Sequence, residues 1–132
     1  MRAKEREEYR VAGLNEPISH YTDAVRFGDI LFISGIAPVD ENFNLIGGDD
    51  AAAQTRQIME NMAKVLDRVG AGFADILKVV VYLTDIEDRH LINPIRQEYF
   101  GEARPASTLI GVNELAADGM KVEIEAVVGL PD

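Results

Sequence analysis

Met120-Lys-Val-Glu-Ile-Glu-Ala-Val-Val128 decides the fold. Met120, Val122, Ile124, Ala126 and Val128 fall on one side of an extended chain, and Lys121, Glu123, Glu125 and Val127 fall on the other. Strict alternation of this kind marks a strand with one face in a core. Upstream, Asp75-Ile-Leu-Lys-Val-Val-Val-Tyr-Leu83 is dense in β-branched residues. Leu77, Val79, Val81 and Leu83 are expected on one face, with Ile76, Val80 and Tyr82 on the other. Both faces are apolar, so this reads as a central strand.

Working outward, Asp23–Phe27 and Ile30–Ser34 are β-prone runs separated only by Gly28-Asp29, the spacing of a tight hairpin. Gly35, Pro38 and residues 40–48 read as turn and loop. Asp49-Asp50 can cap a helix starting at Ala51, whose face is Ile58, Met62, Val65, Leu66 and Val69, and Gly70-Ala-Gly72 ends it. A shorter helix is expected over about His90 to Phe100, with Pro94 in its first turn. Ala106–Val112 then forms the strand before the last one. The order is β-β-α-β-α-β-β in a single α+β domain over residues 1–132, with two helices on one face of a mixed sheet. Each crossover is expected to be right-handed. Residues 1–8 are charged almost throughout and are expected to fray, although Tyr9–Ala12 is able to begin a strand. Two helices cannot cover both faces of such a sheet. The second apolar face predicts either a homo-oligomer interface or a covering by long loops such as 37–48.

Composition narrows the function. The chain has 132 residues, no cysteine and a net charge of −10. Disulfides, thiolate metal sites and a cysteine nucleophile are excluded. An acidic chain disfavours nucleic acid as a partner. No apolar run approaches the ~20 residues of a membrane span, and the charged start is not a signal peptide, so a cytoplasmic location is expected. His20 and His90 make no recognisable metal site, and each reads most simply as a surface residue. No Gly-x-Ser-x-Gly elbow is present. Ser34-Gly35 closes a strand, where glycine lets backbone N–H groups approach a ligand. Glu123 is the best acid/base candidate. It faces water unless a neighbouring subunit closes over it, in which case burial raises its pKa toward a useful range.

Several segments in order resemble the RidA/YjgF family. They are Ile18-Ser-His-Tyr21, Ile33-Ser-Gly-Ile-Ala-Pro38, Ala53-Gln54 with Asn61, Val79–Asp85, Asn93 with Tyr99-Phe100, and Val122-Glu-Ile-Glu-Ala126. The resemblance implies a homotrimer of chorismate-mutase-like subunits, with three sheets packed into a barrel and inter-subunit clefts that bind a small polar metabolite. Many members deaminate reactive enamines and imines without a cofactor. By position, Tyr21, Asn93 and Glu123 match the family's site tyrosine, asparagine and water-orienting glutamate. The resemblance breaks in Arg104-Pro-Ala-Ser-Thr108, where Ser107 stands at the position of the arginine that clamps the substrate carboxylate. Leu109 stands where many members have cysteine, and Arg96 where they often have tyrosine. Replacing an arginine–carboxylate pair by a serine hydrogen bond removes ~1–3 kcal/mol, roughly one to two orders of magnitude in affinity.

Two residues are placed to restore the lost charge: Arg96 from the helix, and Arg104, which the Pro105 kink is able to turn away. The expectation is hydrolysis of an enamine or imine other than the usual 2-iminopropionate. Glu123 would position water, and Ser34, Gly35, Ser107, Thr108 and backbone N–H groups would hold the substrate. The rival reading is a non-catalytic ligand- or partner-binding trimer, which the missing arginine favours. Ribonuclease activity, attached to some relatives, is disfavoured by the charge and by the lack of a catalytic histidine pair.

Overall fold

Val122–Gly129 is the middle of the molecule. A computed structural model describes residues 4–132 and contains strands β1 (Arg6–Tyr9), β2 (Ala24–Phe27), β3 (Ile30–Ile36), β4 (Ile76–Leu83), β5 (Ala106–Gly111) and β6 (Val122–Gly129). It also contains helices α1 (Ala51–Arg68) and α2 (Arg89–Phe100), with short 3-10 turns at Phe73–Asp75 and Ile86–Asp88. The sheet order is β1-β2-β3-β6-β4-β5. β6 is antiparallel to both neighbours, and β4 and β5 are parallel, so the sheet is mixed.

The alternation in β6 is realised residue by residue. Val122, Ile124, Ala126 and Val128 are buried, while Glu123, Glu125 and Val127 are half-buried on the other face. Both helices lie over the first face. Ile58, Met62 and Val65 of α1 enclose a core with Leu31, Val81, Leu83, Ile92 and Ile124. Each such side chain contributes about 1.5–3 kcal/mol through its burial. Asp50 caps α1 by accepting hydrogen bonds from the Ala52 and Ala53 N–H groups. Gly28, at φ +62°, makes the hairpin turn between β2 and β3.

Several expectations are corrected. The end expected to fray is a strand over Arg6–Tyr9, paired with Ala24–Phe27, while residues 1–3 lie outside the described residues. Its charged side chains hid it, because an edge strand needs only backbone pairing on one side. Strand β3 does not close at Ser34 but runs through Gly35 to Ile36, with a register shift against β6 between Ile33 and Ile36. A second shift between Ile76 and Lys78 breaks the alternation at the start of β4. Ile76 is therefore buried with Val79, Val81 and Leu83, and Leu77 is 51% exposed on the opposite face; these two exchange their expected faces, and the residues from Val79 to Leu83 keep theirs. Pro94 sits in the second turn of α2 rather than the first, because the helix begins at Arg89. The loop at 37–48 does not cover the second face. Asn61 of α1 donates to the Ala37 and Val39 carbonyls and ties that loop to the helix side. Phe27, Phe32, Leu77 and Ile110 are left exposed.

Candidate functional site

The candidate residues fall into two groups. The first surrounds the β3–β6 pair. Glu123 projects from the helix-free face and lies against Gly35. A Cβ on Gly35 would sit 2.2 Å from Glu123 Oε2 and 3.0 Å from its Cδ. Only glycine leaves room for this carboxylate. Burial pushes the Glu123 carboxyl above its ordinary pKa, and the like charge of Glu125 adds to the effect. Tyr82, opposite Glu123 in the register, donates its phenol hydrogen diagonally to Glu125 Oε1. That bond and burial hold the Tyr82 phenol neutral, with its pKa pushed up to about 12.

Ser34, Gly35 and Tyr21 line a small cavity of about 30 Å³ with Asp23 and Asn61; Glu123 lies against Gly35 but does not itself line the cavity. The Ser34 hydroxyl donates to the Thr22 carbonyl at 2.6 Å, so its hydrogen is committed to the backbone. Its lone pairs stay available to a ligand. Tyr21 is 42% exposed, and its phenol oxygen accepts from the Ile18 N–H at 3.4 Å.

The second group lies where α2 meets β5. Arg96 Nη2 donates to Ser107 Oγ at 3.0 Å. Of the two arginines considered, Arg96 is thus the one that reaches the serine. Burial alone lowers the Arg96 pKa, since no carboxylate stands beside it to oppose that effect. Asn93 lies three residues earlier on the same helix, and Asn93 and Arg96 line two adjoining grooves. The larger, about 540 Å³, is bounded also by Phe100, Glu102, Arg104 and Pro105. Arg104 is therefore not turned away by the proline: it is exposed on the same groove as Arg96.

The two groups do not converge within one protomer. Ser107 is opposite Val79, which is opposite Ala126, so its side chain lies on the helix face. Thr108, opposite Val80 and Glu125, takes the other face, with Glu123. Ser107 and Glu123 are two strands and three residues apart across the sheet, ~14 Å at standard spacings. Both of these grooves are accordingly at the arginine end, and neither is lined by Glu123. His20 is exposed, and His90 Nε2 lies 3.5 Å from Glu87 on the surface. Tyr82 and Glu125 are not among the sequence-derived candidates, although alternation along β4 and β6 puts both on the same face of the sheet as Glu123.

Residues 13–129 match the family described as Endoribonuclease L-PSP, and the chain belongs to that family. It is 39% identical over 112 residues to a RutC family protein of Pyrococcus horikoshii, covering 85% of this chain and 88% of that one. It is 35% identical over 115 residues to the 3-aminoacrylate deaminase RutC of Acinetobacter baylyi, covering 87% and 90%. Among solved structures, the Rid-family protein YyfA of Yersinia pestis superposes with a TM-score of 0.88 at 29% identity, covering 96% of this chain and 100% of that one. RidA of a Psychrobacter species gives 0.86 at 28% identity, covering 94% and 99%.

Proposed function

We propose that this member of the family is a homotrimeric hydrolytic deaminase that releases ammonia from a small enamine or imine bound in clefts between subunits. The observation that carries it is Glu123, whose half-buried carboxylate is seated on Gly35. A carboxylate with a raised pKa is a stronger base than an exposed one. The 35% identity to a 3-aminoacrylate deaminase supports the same chemistry.

An enamine gains a proton from solvent at carbon and becomes an iminium ion. Glu123 takes a proton from a water molecule, whose oxygen forms a bond to the C=N carbon as the C=N electron pair moves to nitrogen. The tetrahedral adduct carries a hydroxyl and a neutral amine. Glu123 returns its proton to that nitrogen. The C–N bond then breaks as the hydroxyl proton passes to Glu123, and ammonia and a carbonyl compound leave. Glu123 gives that last proton to solvent, which restores the one gained at carbon. Tyr21, Ser34 and the backbone at Gly35 border the reacting carbon, and Thr108 lies on the same face. Asn93 and the Arg96/Ser107 pair anchor the far end of the substrate.

The trimer is part of the proposal for a geometric reason. Glu123 and Arg96 are on opposite faces of one sheet, so a single small molecule cannot touch both within a protomer. The exposed Phe27, Phe32, Leu77 and Ile110 on the Glu123 face supply apolar area for a subunit interface. The test is ammonia release from imines generated in situ, comparing the native protein with Glu123→Gln. A fall of ~10²-fold or more in kcat is expected. Equal rates would remove Glu123 from the mechanism. No release from any enamine or imine tried, with ligand binding intact, would favour the reading that the altered Ser107 position suggests: a trimer that binds without catalysis.

A further inference from the structure

The groove at the α2–β5 end holds two arginines that the catalytic reading uses only in part. Arg96 and Arg104 both line it. The arginines at 6, 10, 56 and 89 each have a carboxylate partner within the chain. Arg26 and Arg68 have no ion pair but are engaged otherwise, Arg26 donating to the Gly28 carbonyl and Arg68 lying over the Tyr9 ring. Arg96 and Arg104 also have no carboxylate partner among the described residues, the guanidinium of Arg96 resting on the neutral Ser107 hydroxyl, and these are the two that share the wall of one groove. Glu102 lies on the same groove, so the wall carries two positive charges and one negative. Burial disfavours the charge on Arg96. A bound anion reverses that effect, because guanidinium and carboxylate form paired hydrogen bonds in a site partly removed from water.

From this we infer that the groove takes a small dicarboxylate, with one carboxylate on Arg96 and Ser107 and the second on Arg104. Asn93 offers an amide for the atoms between them. The inference rests on the proposed deaminase site and narrows its substrate to an enamine or imine of a dicarboxylic acid. It also explains how the groove tolerates serine at position 107. The anchoring charge comes across from the helix, and the hydroxyl serves as a seat for it.

Calorimetric titration tests binding without chemistry, using stable acids as probes. The native protein is expected to bind 2-oxoglutarate at least ~10-fold more tightly than pyruvate at low ionic strength. Arg104→Ala, on an exposed loop, should erase that preference while leaving pyruvate binding within about twofold. Arg96→Gln should weaken both acids by ~10-fold or more, with circular dichroism showing a retained fold. Equal affinity for the two acids, no binding of either, or variants that bind like the native protein would each overturn the inference. Ammonia release keeps the two readings apart. Dicarboxylate binding without ammonia release sinks the deaminase reading alone. Efficient release from a monocarboxylic imine, unaffected by Arg104→Ala, sinks the dicarboxylate inference alone.

Discussion

The Glu123 end and the Arg96 end hold their charges by different means. Glu123 is fixed by backbone: its strand is paired on both sides, and its carboxylate lies on Gly35 where any Cβ would strike it. Arg96 is fixed by side chains, with a long stem on a helix and one hydrogen bond to a serine on an edge strand. The first arrangement tolerates almost no change in position. The second depends on the reach of a long side chain, which lets a guanidinium on α2 meet a hydroxyl on β5. Under the proposed function the two ends differ in what they need: a base must meet one atom of the substrate, and a carboxylate anchor need only place a charge within reach.

Breaking the rigid end should have the largest effect. In Gly35→Ala, the new methyl group displaces the Glu123 carboxylate, which is the far end of a flexible side chain and so yields without unfolding the sheet. The kcat for ammonia release is expected to fall ~10²-fold, while the melting temperature drops by no more than ~4 °C. In a Glu123→Ala background the same substitution should cost no further activity. A second loss there would show that Gly35 acts through something other than this carboxylate.

Moving the anchor tests the flexible end. Ser107→Arg puts a second guanidinium against Arg96 and removes the 3.0 Å hydrogen bond. The like-charge contact should lower the melting temperature by ~2–4 °C, and adding Arg96→Ser should recover most of that loss. If the double variant is no more stable than the single one, the two positions do not share one charge.

Glu123→Gln sharpens the contrast through stability. The folded-state pKa of Glu123 is raised, so folding favours the protonated form. Its favourable contribution is complete below the unfolded pKa and is lost as pH rises through the folded one. At neutral pH the native glutamate is therefore the less stable residue. The glutamine variant should melt ~1–3 °C higher near pH 7, with the gap closing as pH falls toward ~4. A gap that widens in acid would reverse the assignment. The smallest effect belongs to Tyr82, whose pKa is pushed up to about 12. Stability from its neutral phenol is present below the ordinary tyrosine value of ~10 and disappears only as pH rises through the folded-state value. Tyr82 should ionise late in an ultraviolet titration. Tyr82→Phe should remove that late step and cost ~0.5–1.5 kcal/mol. A titration whose alkaline end is unchanged by Tyr82→Phe would contradict the Tyr82–Glu125 bond.

The sequence by itself determined the α+β order, the β2–β3 hairpin, both helices and the two faces of β6. Those features rest on spacing along the chain, which burial on one side of a strand or helix imposes directly. It also placed Glu123 on the face opposite the core, because alternation puts that carboxylate there. The tertiary structure alone decided the rest. Whether Arg96 or Arg104 answers Ser107 depends on how α2 is rotated over β5. Why position 35 is glycine depends on the β3–β6 register, and which of Ile76 and Leu77 is buried depends on an irregular step in β4. β1 was hidden for a related reason: a strand of charged residues becomes a strand only when β2 is there to pair with it. Contacts between elements are set by register and rotation, and those belong to the assembled sheet and not to any single segment.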